Sequence, residues 1–228
     1  MKVLAIETST TACSLGLRID GETVEQTTQL GRNHSREILP LISGLLAETA
    51  IDLRSLDLIV YGKGPGSFTG LRIALGVVQG LAYGVGIPVV GISTLACCAQ
   101  GRYRMFGDEQ IVVAQTARLT EVFFGAYEAK QGFVKPVLAD TIFEAAQVPE
   151  LAAGGWVGIG SAWQLRETME AALCVKMADV QLEVFPLAHD LLDLGILGYE
   201  SGDAINPMLA TPEYLREQVA NKPGSGTK

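Results

Sequence analysis

VLAIETSTTACSLGLRIDGE, running from Val3 to Glu22, is the stretch whose reading decides the fold. Val3-Leu4-Ala5-Ile6 is a short apolar run of the kind a buried strand leaves. The polar string Glu7-Thr8-Ser9-Thr10-Thr11 interrupts it, Cys13-Ser14-Leu15-Gly16-Leu17 then roughly alternates, and Asp20-Gly21-Glu22 is a strong hairpin turn. Strand, polar turn, strand, Asp-Gly turn, strand is an antiparallel opening. The polar string occupies the first turn, where hydroxyl and backbone N–H groups can face a ligand and hold phosphate. Taken alone, four such residues are more often an ordinary polar hairpin.

Outward from this hairpin, a helix is expected over about residues 34–50. Ile38, Leu41, Ile42, Leu45 and Thr49 fall on one face, which Leu39 and Leu46 widen. Pro40 removes a hydrogen bond there, so the helix should kink at Pro40 or start close to it. Leu56 to Tyr61 reads as another buried strand. It feeds Gly64-Pro65-Gly66-Ser67-Phe68-Thr69-Gly70, a glycine-rich loop entering a second helix over about residues 69–85. Such a loop can bind an anion at the helix N-terminus. It closes with no Gly-Lys-Ser/Thr, so it is not a Walker A loop. The alternative is a tight turn with Ser67 or Thr69 as N-cap. Gly76, Gly80 and Gly84 recur every fourth residue on this helix. Each glycine costs about 1 kcal/mol of helix stability relative to Ala, so three on one face imply a close-packed neighbour, by analogy with the glycine-spaced helix pairs of membranes.

Pro88 to Ile92 gives the next strand. In the second half, Ile111 to Ala114, Glu121 to Tyr127 and Trp156 to Ile159 read as strands, with Lys130-Gln131-Gly132 a turn into Phe133-Val134. Trp163 to Leu173 and Leu187 to Tyr199 read as helices. Hairpins followed by α/β crossovers predict a mixed α/β fold of two lobes, 1–104 and 105–228, with a frayed tail over 221–228.

Composition excludes several function classes. The chain has 228 residues, 48% of them hydrophobic and 18% charged, with a net charge of −8. An acidic chain with no Lys/Arg stripe is a poor nucleic-acid binder by itself. The apolar stretch from Leu71 to Leu95 is interrupted by Arg72, Gln79, Pro88 and five glycines, so it is expected to be a buried helix and strand and not a membrane span. Met1-Lys2 leads into too few apolar residues for a secretory leader. Cys13, Cys97, Cys98 and Cys174 form no CxxC pair, which points to reduced thiols in the cytoplasm. His34 and His189 are the only histidines, and no metal-ligand spacing or G-x-S-x-G elbow occurs.

Four segments carry a resemblance. Val3-Leu4-Ala5-Ile6-Glu7-Thr8-Ser9-Thr10, Arg32-Asn33-His34-Ser35-Arg36-Glu37-Ile38-Leu39-Pro40, Gly64-Pro65-Gly66-Ser67-Phe68-Thr69-Gly70-Leu71-Arg72-Ile73 and Gly91-Ile92-Ser93-Thr94-Leu95 resemble the TsaB/YeaZ family in order and spacing. Pro212-Glu213-Tyr214-Leu215-Arg216 is similar to that family's terminal signature. The match is dense over residues 1–95 and patchier beyond.

The resemblance implies an actin-like ATPase-type fold of two related lobes. It implies a non-catalytic subunit of the machinery that puts threonylcarbamoyl on the adenosine beside the anticodon, in tRNAs reading codons that begin with A. The partners it implies are a TsaD-type catalytic paralogue and a TsaE-type ATPase, supplied with threonylcarbamoyl-adenylate by a TsaC-type enzyme. ATP and metal would belong to those partners, and tRNA would be met only through the complex. A homodimer in isolation and the heterodimer would both form through the two long helices, with Ile38, Leu41, Ile42, Leu45, Leu71, Leu75, Gly76 and Gly80 as the interface. The catalytic paralogue's His-x-x-x-His motif would fall near Thr94 and Cys98, and neither Thr94 nor Ser93 can replace an imidazole, so no metal is expected here. The family's Asp-Ala-Arg is Thr116-Ala117-Arg118 in this chain, and Ile159 stands where a polar residue is common.

A vestigial nucleotide site is expected at Glu7, Thr8, Ser9, Thr10, Gly64, Gly66, Ser67 and Thr69. The competing reading is an autonomous phosphotransferase or ATPase of the same fold, with Glu7 as the first-strand acid. The old glycoprotease label for the wider family lacks its metal ligands here.

Overall fold

The computed structural model describes residues 1–215. The opening hairpin forms as the sequence reads. β1 (Lys2–Glu7) pairs antiparallel with β2 (Ala12–Ile19) from Lys2↔Ile19 to Glu7↔Ser14, and β2 pairs antiparallel with β3 (Glu22–Gln29). On the other side of β1, β4 (Leu58–Gly64) and then β5 (Val89–Ser93) add in parallel. Parallel addition needs crossovers, supplied by α1 (His34–Glu48) before β4 and α2 (Phe68–Val85) between β4 and β5. The sheet order is β3-β2-β1-β4-β5.

Past α3 (Thr94–Phe106), the same plan repeats. β6 (Gln110–Arg118), β7 (Glu121–Lys130) and β8 (Phe133–Glu144) form an antiparallel meander. β9 (Val157–Ile159) and β10 (Asp179–Gln181) add in parallel beyond β6, for the order β10-β9-β6-β7-β8. Two five-stranded sheets with one connectivity make this the actin-like fold of two related lobes.

In each lobe the central strand is buried on both faces, so its side chains alternate between two cores. Leu4 and Ile6 of β1 join Ile38, Ile42 and Leu45 of α1 and Ala74, Val78 and Ala82 of α2. Val3 and Ala5 face the other way, onto Cys97 of α3 and Ala188, Leu191 and Leu192 of α5 (Ala188–Glu200). Fully burying each Leu or Ile stabilises the fold by about 1.5–3 kcal/mol. In the second lobe, Val112 and Ala114 of β6 meet Trp156 and Trp163, while Ile111 and Val113 meet Leu95, Cys98 and Ala99 of α3.

The structure corrects several expectations. α1 begins at His34 and carries Pro40 inside it, so the helix does not start near the proline. The second lobe does not include α5 or the described residues after it that join the first sheet. α5 packs on the first sheet, Ile205 bridges Val89, and the Glu213 N–H donates to the Lys63 carbonyl at 2.7 Å. Helix 163–173 is a 3-10 segment, Ser161–Leu165, leading into α4 (Arg166–Leu173). Phe68–Val85 is buried on one face only, through Leu71, Ala74, Val78 and Ala82, and is the one helix among the described residues apolar and long enough to cross a membrane by length and composition. The tail 221–228, and Arg216 of the terminal signature, lie outside the described residues.

Candidate functional site

The glycine-rich loop after β4 sits where it does because glycine allows backbone to touch backbone. The Ser67 N–H donates to the Ser9 carbonyl at 2.7 Å. A Cβ at Gly66 would run into Ser9, and one at Gly70 into the Thr8 carbonyl. The Thr8 hydroxyl donates to the Gly70 carbonyl at 2.9 Å. Ser67 caps α2, its hydroxyl accepting from the Gly70 N–H at 3.2 Å. The β1–β2 turn and the start of α2 are thus clamped together, and they form one wall of a cavity of about 330 Å³ between the lobes.

Ser9, Thr10, Gly66 and Ser67 line that wall, Thr94 and Cys98 the floor, and Gln115, Thr116 and Phe123 the opposite wall. The second lobe's wall is held by Ser161, whose N–H and hydroxyl both donate to the Gln115 side chain at 3.1 and 2.9 Å. Of the eight expected nucleotide residues, then, the structure brings four to the cavity. Glu7, Thr8 and Gly64 lie buried behind it, and Thr69 is exposed away from it. Among the described residues, no Lys or Arg lines the cavity to balance a phosphate. Thr94, Cys98, Gln115 and Phe123 were not read from the sequence as lining residues. The first two had been singled out only as positions of the paralogue's metal motif.

Glu7 is the anomalous group. Its Oε1 accepts from the Ser9 N–H, while Oε2 is buried with no partner. Gly62 on β4 gives it room, since a Cβ there would overlap the carboxylate. Burial away from water pushes its pKa up to about 7, against the lowering effect of Ser9. Glu7 is therefore aimed at β4 and not at the cavity, and the role of first-strand acid facing a phosphate is corrected.

The metal motif has no counterpart in chemistry either. The Thr94 hydroxyl donates to the Pro65 carbonyl, and burial pushes the Cys98 thiol well up. Among the described residues, no three His, Cys, Asp or Glu side chains gather as a metal ion requires. The donors present do not fit such a metal.

The interface set also divides. Ile38, Ile42, Leu45 and Leu71 are no more than 3% exposed, so they belong to the core and not to a docking face. Leu41 and Leu75 are half-buried, and Gly76 and Gly80 are exposed. Among the described residues, nothing beyond the helix's own backbone lies within 4 Å of a Cβ built at Gly76, Gly80 or Gly84. The outer face of α2 thus runs Phe68, Arg72, Gly76, Gly80, Gly84, and Tyr83 of α2 and Leu39 of α1 are also exposed. At its upper end the Arg72 guanidinium lies 3.7 Å from the centre of the Phe68 ring and donates to the Tyr214 hydroxyl at 2.9 Å.

Comparison with known proteins places this geometry. The family model of TsaD, tRNA N6-adenosine threonylcarbamoyltransferase, matches residues 24–178. The tRNA threonylcarbamoyladenosine biosynthesis protein TsaB of Escherichia coli (strain K12) is 34% identical over 97% of this chain and 97% of its own length. The protein of the same description from Haemophilus influenzae is 30% identical over 97% and 96%. The solved structure of YeaZ from Pseudomonas aeruginosa is 35% identical, superimposes with a TM-score of 0.89, and covers 94% of this chain and 99% of that one.

Proposed function

The chain belongs to the TsaB/YeaZ family of tRNA threonylcarbamoyladenosine biosynthesis proteins, within the wider TsaD-type group, and on that premise we propose that it is the non-catalytic subunit that completes a threonylcarbamoyl-transferring complex. The observation that carries this reading is the open glycine face of α2. Three glycines cost that helix about 3 kcal/mol relative to alanine, and among the described residues nothing beyond the helix's own backbone lies within 4 Å of their Cβ positions. A close-packed partner outside the chain is what makes the arrangement economical: a helix of a TsaD-type paralogue in the working complex, and the same face of a second copy when the chain is alone.

The division of labour follows from what the residues can do. Thr94 and Cys98 stand where the paralogue would hold a metal, and neither offers an imidazole. Activation of the threonylcarbamoyl group therefore falls to the partner, with ATP hydrolysis assigned to a TsaE-type subunit. A net charge of −8 makes direct affinity for tRNA poor, so the tRNA, of the class reading ANN codons, is bound through the complex. Four unpaired cysteines suit a reducing cytoplasm.

The second reading, an autonomous phosphotransferase, would need the acid at the end of β1 to face the cavity, whereas the Glu7 carboxylate accepts from the Ser9 N–H and lies against Gly62. Among the described residues, no basic side chain lines the cavity, which also weighs against it. The test is reconstitution from a TsaC-type enzyme, a TsaD-type paralogue, a TsaE-type ATPase, ATP, labelled threonine and tRNA, with and without this chain. Label should enter tRNA only when the chain is present. Transfer at full rate without it, or phosphate release by the chain alone, would replace the scaffold reading with one of its competitors.

A further inference from the structure

α3 is built unlike an ordinary surface helix. Eight of its thirteen residues are buried, including the polar Gln100 and Arg102. Its two sides belong to different lobes. Cys97 packs with Val3, Ala5, Val60 and Val90 of the first sheet, whereas the adjacent Cys98, with Leu95 and Ala99, packs with Ile111, Val113 and Tyr127 of the second.

The polar ties follow the same division. The Gln100 amide donates to the Gly132 carbonyl and accepts from the Val134 N–H, both at 3.0 Å, gripping the β7–β8 hairpin. Arg102 donates to Asp179 at 2.7 Å and to Gln181 at 3.0 Å, both on β10, and also pairs with Asp108. Arg104 makes two bonds to Asp190 of α5, at 2.8 and 3.2 Å, on the side of the first lobe. At the helix start, Ser93 donates to Asp140 of β8, which also accepts from Tyr127.

We infer that α3 is a fixed pin that locks the two lobes at one angle, so that the cavity between them neither opens nor closes. Hinge closure needs a few loop or terminal residues free to absorb a backbone rotation. Here the helix at one crossing is embedded in both cores. The other crossing, between β10 and α5, is tied to it by the Cys97 thiol donating to the Leu187 carbonyl at 3.3 Å. Rotation would have to shear a shared core and break the Gln100 bonds together with the part-buried, charge-assisted bonds of Arg102 and Arg104, which leaves Gln100, Arg102 and Asp190 unpaired in the interior. The lock gives the adjacent cysteines a reason to be small and apolar, and it makes the outer face of α1 and α2 a rigid platform. It stands on contacts within the chain and does not depend on the partner proposed above.

The test uses the full chain with spin labels at exposed Cys174 in the second lobe and at Glu22→Cys on the β2–β3 turn of the first. Labelled protein is diluted in unlabelled protein to suppress intermolecular distances. Pulsed electron resonance should give one narrow distance distribution, unchanged by ATP with magnesium. The double substitution Gln100→Ala with Arg102→Met should broaden it, while Arg166→Met, which breaks bonds inside the second lobe only, should not. A second distance in the unaltered chain, or a shift on adding ATP and magnesium, overturns the inference even if the double variant fails to fold. A folded double variant with an unchanged distribution overturns the part assigned to Gln100 and Arg102.

Discussion

Replacing Glu7 by Gln should stabilise the protein, by an amount that depends on pH in a defined direction. The unfolded chain ionises Glu7 from about pH 4.5, whereas the folded chain holds the proton until about pH 7, because Oε2 is buried without a partner. The folded state therefore binds more protons between those values. Its stability falls as pH rises through that window and is flat above it, the opposite of the usual salt-bridged carboxylate. A rise from 4.5 to about 7, at about 1.4 kcal/mol per unit, gives a penalty of about 3 kcal/mol above neutrality. Glutamine keeps the acceptor for the Ser9 N–H and the shape against Gly62 while removing the ionisation. Urea midpoints of both proteins, followed by the fluorescence of Trp156 and Trp163, should converge near about pH 4 and separate by about 3 kcal/mol near about pH 8.5. Effects of Asp140 and Asp190, which burial also pushes up, cancel in the difference. A gap that does not change with pH, or a variant less stable than the parent at alkaline pH, would refute the reasoning and would mean that ionised Glu7 is held by something useful.

Three more outcomes are expected. Gly80→Ala should stabilise the monomer, measured at a dilution that dissociates the homodimer, by about 0.5–1 kcal/mol in thermal unfolding, because a Cβ there meets nothing within one chain, while Gly80→Leu should keep the fold by circular dichroism and abolish pull-down of the paralogue. Gly70→Ala should cost at least about 1–3 kcal/mol in chemical denaturation, since its Cβ would press on the Thr8 carbonyl and spread the clamp around the cavity. A thiol reagent at neutral pH should titrate Cys174 alone in the folded chain. Cys13, Cys97 and Cys98 are buried, with Cys13 pushed up to about 12 and the other two also raised, and all should react only after denaturation.

The opening hairpin, α1, α2 and the duplicated lobes were legible because each follows a single periodicity or a strong turn signal. α3 was not, for a physical reason. A helix buried on two sides shows no apolar stripe, and the partners that bury the polar Gln100 and Arg102 lie far along the chain in the second lobe. The return of α5 to the first sheet was illegible because it is a long-range choice between two similar surfaces. Glycine spacing on α2 announced a close approach, but only coordinates show that the space is open on this chain's side. Apolar spacing on α1 likewise cannot separate the face that fills the core from one left for a partner. Ile38, Ile42 and Leu45 went to the core. At the candidate site, the glycines of the 64–70 loop signal an anion loop or a tight turn, whereas the contact of Gly66 and Gly70 with the first turn is a long-range one, and the direction of Glu7 depends on strand register and on the space left by Gly62.

The central claim, that this chain works by offering its α1–α2 face to a paralogue, is tested most directly by mixing it with a TsaD-type protein from the same source and measuring mass by light scattering. The account predicts a one-to-one heterodimer that replaces a homodimer and fails to form with Gly80→Leu. Two species that keep their separate masses, with and without ATP and a TsaE-type subunit, would contradict it.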